Sequence, residues 1–251
     1  MEIEYHKWWS PSLNQDMELK VYGQSGKPAI VFPTQGGRFY EYEDFGMVNS
    51  CEPYIAEGRL QLYTVDSIDY QSWVNGNAHP ADRARRHNDY DRYITNEVAP
   101  FIHTHNSFSG KYLSTGCSMG AYHAGNFFFR HPDIFDAVIA LSGIFRLNMF
   151  IGDYMDEEVY FNSPLAYLPN LTDQAILEQY RQSKIIICTG QGAWEDHMLE
   201  DAHTLESILG EKNVPCWIDI WGNDVNHDWP WWRKMMPYFL GKIELDITDS
   251  S

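Results

Sequence analysis

Short apolar runs rich in β-branched residues recur along the chain. Between them lie stretches whose apolar residues fall three and four apart. The runs at Glu18–Tyr22, Ala29–Pro33, Leu60–Val65, Tyr112–Thr115, Ala137–Leu141, Ile185–Thr189 and Cys216–Trp221 read as strands. Most are continuously apolar rather than alternating, the pattern of strands covered on both faces. Met198, Leu199, Ala202, Leu205, Ile208 and Leu209 mark one face of a helix. Further helices are expected through Arg92–Phe101, between residue 120 and Pro132, and through Trp231–Leu240. Strands alternating with helices predict an α/β fold: a mostly parallel central sheet with helices on both faces. No repeat, linker or low-complexity stretch interrupts the pattern, so residues 1–251 are expected to form one domain.

Composition narrows the partners. A formal net charge of −17 disfavours nucleic acid and anionic membrane surfaces. The N-terminal M-E-I-E-Y-H-K-W-W lacks a basic segment followed by an apolar one, so no signal peptide is visible. The longest strongly apolar run, Ala137–Phe145, is too short to span a bilayer, and a cytoplasmic protein is expected. Cys51, Cys117, Cys188 and Cys216 form no C-x-x-C and read as small core residues.

In parallel sheets, ligands bind beyond the carboxyl ends of the strands. The run ending at Thr115 delivers G-C-S-M-G, with Ser118 between Gly116 and Gly120, followed by a helix-compatible stretch. Strand, tight turn and helix are the context of a nucleophile elbow. The run ending at Thr189 delivers G-Q-G-A-W-E-D, with two carboxylates, Glu195 and Asp196. The run ending at Trp221 delivers G-N-D-V-N-H-D-W-P-W-W, with His227 in the loop. Serine, acid and histidine thus arrive in the order used by α/β-hydrolases. A serine hydroxyl needs a base to take its proton, and a carboxylate orients that base. The backbone N–H of Met119 is expected as one oxyanion donor. The second is expected from V-F-P-T-Q-G-G, with Gln35 preferred and Gly36 next.

These segments resemble an esterase family within the α/β-hydrolases. It includes S-formylglutathione hydrolases, feruloyl and acetyl-xylan esterases and secreted mycolyltransferases. The resemblance rests on G-C-S-M-G-A, H-P-D-I-F-D-A-V-I-A-L-S-G, V-Y-F-N-S-P-L-A-Y-L and N-H-D-W-P-W-W, and covers nearly the whole chain. It implies the α/β-hydrolase fold and hydrolysis of a small, aryl or carbohydrate-linked carboxylic ester through an acyl-enzyme, with no cofactor. Acyl transfer by the same triad, or a non-catalytic binding domain, are the alternatives. The chain departs from the family in having P-T-Q-G-G where many hydrolases have H-G, and in its longer acid loop. Asp196 is preferred to Glu195 as the acid, because E-D before an amphipathic helix resembles the family's ending of that loop. Asp224 and Asp228 stand in reserve.

Other residues have plainer readings. No metal site is expected: His103 and His105 are two apart on a helix, and His197 and His203 lack a third partner. His123 is expected to pack on the helix after the elbow. Trp229, Trp231, Trp232, Phe39, Tyr40 and Tyr42 could stack a sugar or aryl group or could be core packing. The N-L-T at Asn170 is a glycosylation sequon by spelling alone. Whether the chain forms a homo-oligomer stays open.

Overall fold

The structure, a computed structural model, describes residues 1–243 and residue 245. Eight strands form one sheet in the order β1-β2-β4-β3-β5-β6-β7-β8. They are β1 Ile3–Ser10, β2 Gln15–Tyr22, β3 Lys27–Phe32, β4 Leu60–Val65, β5 Tyr112–Cys117, β6 Phe135–Leu141, β7 Lys184–Thr189 and β8 Trp217–Ile220. β2 runs antiparallel to β1 and β4, while all pairings from β4 through β8 are parallel. Every residue of β3, β4 and β5 is buried, as their unbroken apolar runs require. The sheet and its helices form the expected α/β-hydrolase fold.

The longer helices are α1 Met47–Ala56, α2 Pro80–Tyr93, α3 Ala99–His105, α4 Met119–Arg130, α5 Gln174–Gln182, α6 Asp196–Glu211 and α7 Trp229–Leu240. Alternation along each strand sorts side chains to two faces. Ala29 and Val31 pack with α1 and α7, while Ile30 and Phe32 pack with α2 and α4. On the second face Phe32 stacks on Phe127, with ring centroids 4.9 Å apart. The helix expected at Arg92–Phe101 is part of a longer run in which a π turn, Ile94–Val98, joins α2 to α3. Pro100 lies just beyond it and cannot donate to a regular helical carbonyl, a common cause of such widening. All four cysteines are free. Among the described residues, no helix is long and apolar enough to cross a membrane.

Candidate active site

Ser118 sits between the end of β5 and the start of α4 with φ 57° and ψ −122°. This conformation is strained for a residue bearing a Cβ. Its flanking glycines permit it. A Cβ on Gly116 would fall 2.4 Å from the carbonyl of Gly120, and one on Gly120 would fall 2.2 Å from the carbonyl oxygen of Phe32. The turn is fixed by Ser118 N–H donating to Leu141 O at 2.9 Å and by Ala121 N–H donating to Ser118 O at 3.0 Å. The hydroxyl is thereby raised above the sheet, half-exposed at the amino end of α4.

Its neighbour is His227, whose Nε2 lies 2.8 Å from Ser118 Oγ. The histidine loop is zipped to the acid loop. Gly192 N–H donates to Val225 O at 2.9 Å, and His227 N–H donates to Ala193 O at 3.0 Å. Asn226 Oδ1 accepts from Ala193 N–H at 2.8 Å. The glycines of G-Q-G are required here, since a Cβ on Gly190 would fall 2.1 Å from Val225 O. Trp232 stands edge-on to the imidazole, with ring centroids 5.0 Å apart.

The carboxylate facing His227 is Glu195, and the expectation for Asp196 is corrected. Glu195 Oε1 lies 3.5 Å from His227 Nδ1, and the side chain is 1% exposed. It is held by two hydroxyls delivered by neighbouring strand ends. Ser142 Oγ donates to Oε1 at 2.6 Å and Thr189 Oγ1 donates to Oε2 at 2.5 Å. Trp232 Nε1 donates in turn to Ser142 Oγ at 2.9 Å. The 3.5 Å separation is an ion-pair distance, longer than a hydrogen bond, and His227 Nδ1 has no other protein partner among the described residues. Asp196 is exposed and opens α6, where its charge complements the helix dipole. Asp224 and Asp228 are exposed as well, and Asp228 caps α7 by accepting from Trp229 N–H at 2.7 Å. The signal available in the sequence was L-S-G and C-T-G, which put two hydroxyl residues at adjacent strand ends, within reach of one buried acceptor.

The loop after β3 borders the elbow, and a Cβ on Gly120 would also come within 2.7 Å of Pro33 O. Thr34 N–H donates to Glu41 Oε2 at 2.8 Å, Gly37 N–H to Thr34 O at 2.8 Å, and Gly36 N–H to Asp69 Oδ2 at 3.1 Å. Among the described residues, the N–H of Gln35 has no protein acceptor, which leaves it available to an oxyanion; Gly36 is committed. Met119 is the first residue of α4, so its N–H also lacks an intrahelical partner.

Sequence reasoning missed the support beneath this loop. Asp69 Oδ1 accepts from His123 Nε2 at 2.8 Å, and both side chains are 1% exposed. His123 stacks on His87 with ring centroids 5.5 Å apart. Burial pushes His87 well below the usual imidazole range, helped by the positive charges it would meet at His123 and Arg130. The neutral ring can therefore stack without charge repulsion. Of the aromatic residues flagged in the sequence, Phe39, Tyr42, Trp229 and Trp232 are buried and serve packing. Tyr40 is 40% exposed, and Trp231 carries Lys234 Nζ 4.2 Å from its ring centroid.

Residues 10–243 match the family described as "Putative esterase", and the chain belongs to that family. It is a serine carboxylic-ester hydrolase of the α/β-hydrolase fold. Solved structures agree on the fold. A ferulic acid esterase is 17% identical, with a TM-score of 0.75 over 95% of this chain and 96% of its own. An S-formylglutathione hydrolase from Staphylococcus aureus is 20% identical, with a TM-score of 0.69 over 96% of each chain. MPT51 (FbpC1) from Mycobacterium tuberculosis is 12% identical, with a TM-score of 0.73 over 97% of this chain and 98% of its own. The comparison with curated proteins finds no match.

Two outcomes test the geometry. Glu195→Gln should lower kcat on the order of 10³–10⁴-fold, whereas Asp196→Asn should leave it within about twofold; steady-state hydrolysis of p-nitrophenyl acetate reads both. Asp69→Ala frees Gly36 and should lower kcat by up to about 100-fold through misplacement of the loop, with KM little changed. An Asp69→Ala enzyme with wild-type kcat would show that the loop holds its shape without this anchor.

Proposed function

We propose that Ser118 is the nucleophile, His227 the general base and Glu195 the acid of an esterase acting on small aryl or carbohydrate-linked esters. The observation that carries the reading is the 2.8 Å contact between Ser118 Oγ and His227 Nε2 at a strained elbow. Ser118 Oγ attacks the ester carbonyl carbon while His227 Nε2 takes the hydroxyl proton. Glu195 stabilises the imidazolium, and the N–H groups of Met119 and Gln35 receive the oxyanion. As the tetrahedral intermediate collapses, the imidazolium returns its proton to the departing alcohol oxygen. Water then repeats the sequence, and its attack on the acyl carbon releases the acid and restores Ser118.

The aryl or sugar preference is supported by two exposed aromatics on the loops that frame the serine. Trp194, 85% exposed and with φ 70°, immediately precedes Glu195. Tyr70, 67% exposed, follows Asp69 and lies against Gly36, where an added Cβ would meet its ring at 2.3 Å. Large apolar rings held in solvent next to Glu195 and Gly36 suit stacking on a flat substrate group. One structural neighbour is named a ferulic acid esterase.

A fluorophosphonate probe should add once to the wild type and not to Ser118→Ala, read by intact mass. Ser118→Ala should also lose several orders of magnitude in kcat. No labelling of a folded wild-type protein would instead favour a binding domain, and acceleration by an added alcohol would favour acyl transfer. His227→Asn should abolish most of the activity, since among the described residues no other group lies within reach of the Ser118 hydroxyl proton.

On an ester panel, Trp194→Ala should raise KM about tenfold for aryl and acetylated-sugar esters while leaving p-nitrophenyl-free alkyl acetates unchanged, since one stacked ring contributes roughly 0.5–1.5 kcal/mol. Equal effects on all esters would remove the stacking role.

A further inference from the structure

At the β1 edge of the sheet, four strands away from β5, three donor atoms converge. Glu4 and His6 lie two apart on β1, and so share one face of that edge strand. His105 comes from the last turn of α3. Glu4 Oε2 is 3.0 Å from His6 Nε2 and 3.2 Å from His105 Nε2, and one ligand atom from each residue lies within 4.8 Å of the others. All three residues are half-buried.

The proton directions around His105 are set by a chain anchored on backbone atoms. Phe108 N–H donates to Asn106 Oδ1 at 2.6 Å, so Asn106 Nδ2 is the donor to Gly26 O and Gln61 Oε1. Gln61 Nε2 donates to Gly23 O at 3.0 Å, which leaves Gln61 Oε1 as an acceptor. The Tyr63 hydroxyl therefore spends its one proton on Gln61 Oε1, at 2.7 Å. His105 Nδ1, 2.9 Å from the same hydroxyl, must donate to it. With Nδ1 committed to Tyr63, Nε2 is the nitrogen of His105 that faces Glu4 Oε2, 3.2 Å away and, among the described residues, free of any other protein partner.

We propose that Glu4, His6 and His105 bind one divalent transition-metal ion of the zinc class, which clamps edge strand β1 to the end of α3. Two imidazoles and one carboxylate suit zinc rather than magnesium or calcium. An ion about 2.0–2.2 Å from each donor needs donors roughly 3.3 Å apart, close to the separations from Glu4 Oε2. The hydrogen bond from His105 Nδ1 to Tyr63 is the outer contact that orients a metal-binding imidazole. Three protein donors leave a fourth position for water. The site lies away from the serine, and its effect is on stability.

The test uses untagged full-length protein, stripped with chelator and titrated with zinc chloride by calorimetry and by thermal unfolding. The wild type should bind one equivalent and gain Tm with zinc concentration, and cobalt should give the visible absorption of a tetrahedral site. Glu4→Gln and His6→Ala should each weaken zinc binding at least about 100-fold while retaining wild-type ester hydrolysis without metal. Three outcomes would overturn the site: no stoichiometric zinc binding by the wild type, binding unchanged in both variants, or a Tm that responds to pH alone and not to zinc, the mark of a protonated His105 as the only cation.

Discussion

The backbone crossing at Ser118 is the constraint around which the functional end of the molecule is arranged. A residue with a side chain is held at φ 57° between β5 and α4, a conformation that costs on the order of 1–3 kcal/mol. It persists because the ends of β3 and β5 and the start of α4 meet backbone to backbone, with no Cβ at Gly116 or Gly120 to separate them. The same contact sets the neighbours. It brings the loop after β3 against the helix that begins at Ser118. Further along that helix, His123 reaches Asp69, which holds the loop through Gly36. One strained turn thus presents the hydroxyl and, through its own helix, braces the loop carrying Gln35.

Much of this was legible because strand ends in a parallel sheet all point to one place. Ser118 and His227 could be found from what each apolar run delivers at its end, and they meet in space. The acid could not be read the same way. Glu195 and Asp196 are adjacent, and their local patterns are equivalent. The choice is made by hydroxyls on two different strand ends: Thr189, six residues before Glu195, and Ser142, fifty-three residues before it. The longer side chain turns inward to reach both, and the shorter one stays with the helix dipole. Strand β1 escaped notice for a different reason. It is an edge strand whose residues alternate between exposed and half-buried, so it lacks the continuous apolar run that marked the others. Its half-buried face carries Glu4 and His6, residues that look unremarkable until α3 is folded against them. Of the two readings open for Trp229 and Trp232 in the sequence, packing is the one the fold uses: Trp229 stacks on Phe45 at 4.7 Å, and Trp232 backs the imidazole and donates to Ser142.

The acid and histidine loops are joined by backbone bonds at Gly192, Ala193, Val225 and His227. Their geometry depends on contacts between segments separated by β8 and α6. Domains emerge from synthesis amino-terminal end first. Residues 221–232, the last of these segments to be made, supply His227, close the backbone zipper and begin the helix that covers Ala29 and Val31. Until that last segment folds back and closes the zipper, Ser118 has no histidine beside it and Glu195 has no imidazole to face. The elbow's partner and the cover of one sheet face thus come from the same late stretch of chain, so the site and that half of the core are completed together.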